Sequence, residues 1–122
     1  MNNLIPLKDL NILIIDDEEM INEVNKALLE KAGAKVKVFK EAIKAIKHLE
    51  IAGSDIHVVI SDFQMPGKIK GDDIYRLIQQ KYPLIKCIIL TGFISKEILG
   101  VPIENILQKP ISYEQLLKSI SN

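Results

Sequence analysis

Five short runs of Val, Ile and Leu, apolar at consecutive positions and separated by segments of helical spacing, constrain this chain more than anything else in it. The runs are Asn11 to Ile15, Lys35 to Phe39, His57 to Ser61, Lys86 to Thr91 and Asn105 to Gln108. A strand with one wetted face alternates apolar and polar residues. Ile12-Leu13-Ile14-Ile15 and Val58-Val59-Ile60 do not alternate, so both of their faces must be covered, as in a parallel sheet. Between the runs, Met20, Val24, Ala27, Leu28 and Ala32 share one face of a first helix, and Gly33 suits the left-handed position that ends it. Ala42, Ile46 and Leu49 mark a second helix, and Ile74, Leu77 and Ile78 a third. The last opens with Ser112-Tyr113-Glu114-Gln115, a capping-box pattern, and carries Leu116, Leu117 and Ile120 as its apolar stripe. Strand and helix alternating in this way predict an open, doubly wound α/β sheet with right-handed crossovers. Ligands of such sheets bind beyond the carboxyl ends of the strands.

Length and charge narrow the function. At 122 residues and 48% apolar the chain supports one core and one domain. Sixteen basic residues balance sixteen acidic ones, so no global field favours nucleic acid or an anionic membrane. Cys87 lies in an apolar run and reads as a small buried hydrophobe. A lone cysteine, no apolar stretch near the roughly 18 residues that span a bilayer, and a start without basic residues make a cytoplasmic chain the expectation. Residues 1–9 are expected to be a tail or linker remnant, docked if Leu4-Ile5-Pro6-Leu7 is buried, and residues 10–122 the domain.

The strand ends carry the chemistry. The first ends in Asp16-Asp17, the third in Asp62, the fourth in Thr91-Gly92 and the fifth in Lys109-Pro110. Singly, each has a plain structural reading: the aspartates as helix or turn caps, Thr91 bonded to its own backbone, Lys109 as a solvated charge. Together, three carboxylates at one edge repel one another, and a divalent cation relieves them. Oxygen-only ligands suit Mg²⁺, and no His or Cys accompanies them to suggest zinc. A cation, a lysine and a hydroxyl around an aspartate suffice for phosphoryl transfer to that aspartate.

The blocks Ile14-Ile15-Asp16-Asp17-Glu18, Ser61-Asp62-Phe63-Gln64-Met65-Pro66-Gly67, Ile89-Leu90-Thr91-Gly92 and Gln108-Lys109-Pro110 resemble, in order, the four signatures of response-regulator receiver domains of two-component systems. The resemblance runs from about Asn11 to the C-terminus. It implies the flavodoxin-like strand order 2-1-3-4-5 with about five helices. It also implies a switch in which Asp62 accepts a phosphoryl group from a phosphohistidine or a small acyl phosphate. By the same resemblance Asp17, Asp62 and the Gln64 carbonyl hold Mg²⁺, with Asp16 acting through a metal-bound water. Thr91 and Lys109 would hold phosphoryl oxygens with the N–H groups of Phe63 and Gly92, and Pro110 is a candidate for a cis bond. The implied partners are a histidine kinase or histidine phosphotransfer protein and a downstream output domain or protein, with no direct nucleic acid or membrane contact. Its catalysis would be confined to its own phosphorylation and dephosphorylation.

Several positions depart from the family pattern. Ile106 stands where members often carry an aromatic ring, eighteen residues separate Thr91 from Lys109, and the Asp62 to Gly71 loop is a residue longer than common, bringing in Lys68 and Lys70. A short or irregular fourth helix over Ser95 to Leu99 and a weak or unconventional output response are expected. Gln64 and Phe93 are expected to set water access, and Met65 reads equally as a loop-shaper or a core filler. His48 and His57 read as structural. Other readings stay open: a degenerate receiver that only docks partners, and a Mg²⁺-dependent phosphatase, which would want an acid where Gln64 stands. A flavin or nucleotide site would want a Gly- or Ser-rich loop in place of Asp16-Asp17-Glu18-Glu19. The chain reads either as a stand-alone regulator or as a piece of a larger protein such as a hybrid kinase.

Overall fold

The computed structural model describes residues 7–92 and 100–121. Five parallel strands, β1 (Asn11–Ile15), β2 (Lys35–Phe39), β3 (Val58–Asp62), β4 (Lys86–Thr91) and β5 (Ile106–Gln108), lie in the order β2-β1-β3-β4-β5. Helices α1 (Glu19–Lys31), α2 (Ala42–Ala52), α3 (Gly71–Lys81) and α4 (Tyr113–Ser121) cover the two faces. The doubly covered sheet read from the apolar runs is the one that forms. Within β1, Leu13 and Ile15 join one core with Ala45 and Leu49 of α2 and Ile74 and Ile78 of α3. Ile12 and Ile14 join a second core with Leu29 of α1 and Leu116 and Ile120 of α4. Adjacent strand residues thus go to opposite layers, which is why no position in the run can be polar.

The strand order places the site. Consecutive pairing outward from β1 reverses between β1 and β3, so the crevice at the switch point opens above Ile15 and Asp62. β3 begins one residue later than read from sequence and runs through Asp62, which pairs with Leu90. His57 falls just before the strand, where its Nδ1 accepts the Asn11 N–H at 2.9 Å; His48 packs its ring 5.3 Å from that of Phe39. β5 likewise starts one residue late, because Asn105 closes a 3-10 turn over Ile103–Asn105 and its side-chain amide donates to the Cys87 carbonyl at 2.9 Å. The expected fourth helix, Ser95 to Leu99, lies outside the described residues.

The first helix presents a different face from the one its apolar spacing suggested. Met20 and Val24 are 81% and 58% exposed, while Leu29 and Asn22 turn inward. The stripes of α2 and α4 pack as read; in α3 Ile74 and Ile78 are buried with Tyr75, while Leu77 is half-buried and joins neither core. Gly33 adopts φ +108° after α1, a left-handed conformation open to glycine at little cost, and a Cβ there would press within 2.9 Å of the Lys8 Cα. Leu7, at 1% exposure, seals the α1/α4 core, so the folded domain takes in the last residues of the expected tail. At α4, Ser112 Oγ accepts the Gln115 N–H at 3.1 Å and Gln115 Oε1 accepts the Ser112 N–H at 2.9 Å, a reciprocal cap.

Candidate phosphoryl-transfer site

The backbone at the carboxyl edge is fixed before any side chain is considered. Asp16 continues the ladder past β1 by donating its N–H to Phe39 O at 3.0 Å, and Lys109 does the same past β5 by donating to Thr91 O at 2.7 Å. Asp16 Oδ1 then accepts the Glu18 N–H at 3.0 Å, turning the chain into α1. Inside α1, the buried Asn22 side chain donates to the Asp16 carbonyl at 2.7 Å. On the other side of the crevice Gly71 N–H donates to Phe63 O at 2.9 Å. A Cβ on Gly71 would lie 2.7 Å from both Asp62 O and Phe63 Cα, so the start of α3 is seated directly on the backbone that carries Asp62. The long loop before it is tied by Lys70, whose ammonium donates to Met65 O at 3.0 Å. Met65 itself is buried and its sulfur faces the Ser61 hydroxyl at 3.9 Å, which favours the core-filling reading.

Side chains converge on this frame. Carboxylate oxygens of Asp16, Asp17 and Asp62 all lie within 4.8 Å of one another, Asp16 and Asp62 buried and Asp17 exposed. Lys109 brings its ammonium to 3.3 Å from Asp62, 3.5 Å from Asp16 and 3.0 Å from Glu18. Thr91 is buried at the end of β4, and Gly92 is exposed beside it. The Lys109–Pro110 peptide is cis.

The electrostatics follow from crowding. Burial pushes the Asp62 carboxyl above its usual range; Lys109 opposes this and the nearby Asp16 charge adds to it. For Lys109, burial alone favours the neutral amine, but Glu18, Asp16 and Asp62 together outweigh it and raise its pKa. A hard divalent cation fits here. The donor set is oxygen only, it opens to solvent at Asp17, and one ammonium does not balance three clustered carboxylates.

One residue of the expected set is otherwise employed. Phe63 N–H donates to Leu90 O at 2.8 Å as the next rung of the β3–β4 ladder. The amide that reaches the Asp62 carboxylate is that of Gln64. Because β3 extends through Asp62, its neighbour is still inside the sheet, and the first N–H free to face the crevice comes one residue later. Gln64 is exposed at the rim, while Phe93 lies outside the described residues. Ile106 is buried against the α3 side of the sheet with Ile89 and Val101. Sequence reasoning passed over Glu18 and Asn22. Asn22 had a signal, an amide seven residues before Leu29 and so on its face; Glu18 had none beyond its place in an acidic run.

Comparison with known proteins agrees with this arrangement. The family model for the response regulator receiver domain matches residues 12–121. A response regulator NtrX-like protein of Rickettsia typhi is 34% identical over 87 residues, 70% of this chain and 18% of that protein. The aerobic respiration control sensor protein ArcB of Escherichia coli is 31% identical over 121 residues, 94% of this chain and 15% of that protein. The chain therefore spans less than a fifth of these curated relatives. Among solved structures, a response regulator receiver domain protein from Clostridium thermocellum superposes with TM-score 0.80 at 34% identity, covering 91% of this chain and 90% of that one. A response regulator receiver protein from Sinorhizobium medicae gives TM-score 0.82 at 28% identity, covering 94% of each.

Proposed function

The chain belongs to the response regulator receiver domain family, and from that premise we propose that it is a phosphorylation switch whose phosphate is carried on Asp62. The observation that carries this reading is the single cluster in which Asp16, Asp17 and Asp62 oxygens lie within 4.8 Å while Lys109 stands 3.3 Å from Asp62. In the transfer, an Asp62 carboxylate oxygen forms the new P–O bond as the donor's P–N or P–O bond breaks. The electron pair leaves with the donor imidazole or acylate. Lys109 neutralises the charge spread over the phosphoryl oxygens, and the Thr91 hydroxyl with the N–H groups of Gln64 and Gly92 orients them. Asp16, Asp17, Asp62 and the Gln64 carbonyl would hold Mg²⁺, which supplies charge neutralisation to the transferring group when bound.

The donor class is a phosphohistidine protein, a histidine kinase or a histidine phosphotransfer protein. Relatives that include both sensor kinases and response regulators support this reading. A downstream domain or protein would read the phosphate, within the chain's own gene product or outside it. No helix among the described residues is long and apolar enough to cross a membrane.

Incubation with Mg²⁺ and acetyl phosphate tests the proposal by intact mass. We expect one phosphoryl group, labile to hydroxylamine, absent without Mg²⁺ and absent in Asp62→Asn. An unchanged wild-type mass, both here and with a phosphohistidine donor, leaves a protein that docks partners without carrying phosphate.

A further inference from the structure

Lys109 is shared among three carboxylates, and the closest is not one of the residues that the proposed chemistry uses. Glu18 Oε1 stands 3.0 Å from the ammonium, nearer than Asp62 at 3.3 Å or Asp16 at 3.5 Å. Asp62 is to carry the phosphate and Asp16 lies in the cation cluster, whereas Glu18 is 44% exposed at the rim. Its side chain does no structural work in the helix that it precedes. As the residue before α1 it makes no side-chain cap; the turn uses its backbone, whose N–H donates to Asp16 Oδ1 and whose carbonyl accepts the Asn22 N–H at 3.0 Å. The neighbouring Glu19, a second carboxylate and more exposed, pairs with Lys40 of the β2–α2 connection instead.

We propose that Glu18 is a positioning residue that competes with the incoming phosphoryl group for Lys109. An ammonium has three N–H bonds to give; Glu18 accepts one at 3.0 Å, while Asp62 and Asp16 draw on the same charge from 3.3 and 3.5 Å. A phosphoryl group arriving on Asp62 brings new oxygens to the same lysine, so one resident claim is displaced. The exposed one is the easiest to release, because Glu18 regains full hydration on letting go while Asp16 is held buried. Glu18 therefore acts as a brake, holding Lys109 toward the rim until a phosphoryl group outbids it. This rests on the reading of Asp62 as the acceptor.

The test compares Glu18→Gln, Glu18→Asp and Glu19→Gln with the wild-type chain, measuring the second-order rate of phosphorylation by acetyl phosphate with Mg²⁺, and beryllofluoride affinity from amide shifts. Glu18→Gln removes the charge; Glu18→Asp keeps it but withdraws it by one methylene. Both should be faster and bind beryllofluoride more tightly by about two- to fivefold, the worth of one half-exposed ion pair, while Glu19→Gln stays at the wild-type rate. A general charge effect predicts the opposite pattern, with Glu18→Asp unchanged and both Gln variants faster. That result, or a Glu18→Gln indistinguishable from wild type, overturns the proposal. If the wild-type chain accepts no phosphate, the reading of Asp62 fails first; normal phosphorylation with unmoved variants removes only the role of Glu18.

Discussion

At the scale of single residues, the site stores unfavourable charge. The Asp62 carboxyl is held above its usual range by burial, with Asp16 adding to the strain. A carboxyl whose pKa is raised on folding disfavours the folded state once it ionises, so its cost is present at neutral pH and is relieved as pH falls through the raised pKa. Asp62→Asn removes that cost, and Lys109 keeps Glu18 and Asp16 as partners. We expect the variant to be more stable than wild type by about 1 kcal/mol at pH 7 without divalent cation. The difference should shrink as pH falls through the raised pKa of Asp62 and vanish once the carboxyl is protonated in both the folded and the unfolded chain. Thermal melts of the two proteins across this range check it, and a wild type that is the more stable at pH 7 would contradict the account.

At the scale of elements, α1 is where apolar spacing misled. Its stripe of Met20, Val24, Ala27, Leu28 and Ala32 satisfies the helical period, but the entry angle set by the Asp16–Glu18 turn rotates Asn22 and Leu29 inward. The deciding interaction is polar: the Asn22 amide satisfies the Asp16 carbonyl, which would otherwise be left unpaired within the turn. Asn22→Ala should therefore lower stability by about 1–2 kcal/mol. Met20→Glu, on the exposed face, should stay within about 0.5 kcal/mol of wild type. Urea titrations of both variants read the contrast, and equal losses would mean that the face assignment is wrong. Elsewhere propensity and context agree, as in the Ser112–Gln115 cap and the Gly33 stop.

At the scale of the whole molecule, two cores lie on opposite sides of one sheet, and the residues of its strands alternate between them. Cys87 sits in the middle strands at 1% exposure, and burial pushes its thiol up to about 12. Its alkylation by iodoacetamide should proceed only through opening of the sheet, slower than that of a free thiol by a factor that tracks global stability. Destabilising variants such as Asn22→Ala should accelerate it in proportion to their loss; fast labelling of the native wild type would refute a closed core. The site is built on this frame, since Asp62 ends β3 opposite Leu90 and Thr91 ends β4 opposite Gln108, both buried.

The strand count, the double coverage of the sheet and the carboxyl-edge location of Asp16, Asp17, Asp62, Thr91 and Lys109 are legible in the chain before any packing is known. Each follows from local pattern: consecutive apolar residues admit no wetted face, and a residue at a strand end has nowhere else to go. Tertiary structure alone decided which face of α1 is buried, that β3 runs through Asp62 and so commits the Phe63 N–H to Leu90, and that Glu18 is the nearest partner of Lys109. Those outcomes depend on where a neighbouring strand ends and on how a ninety-one-residue separation closes in space. No local period encodes such distances, because they are set by the packing of elements that are remote in the chain.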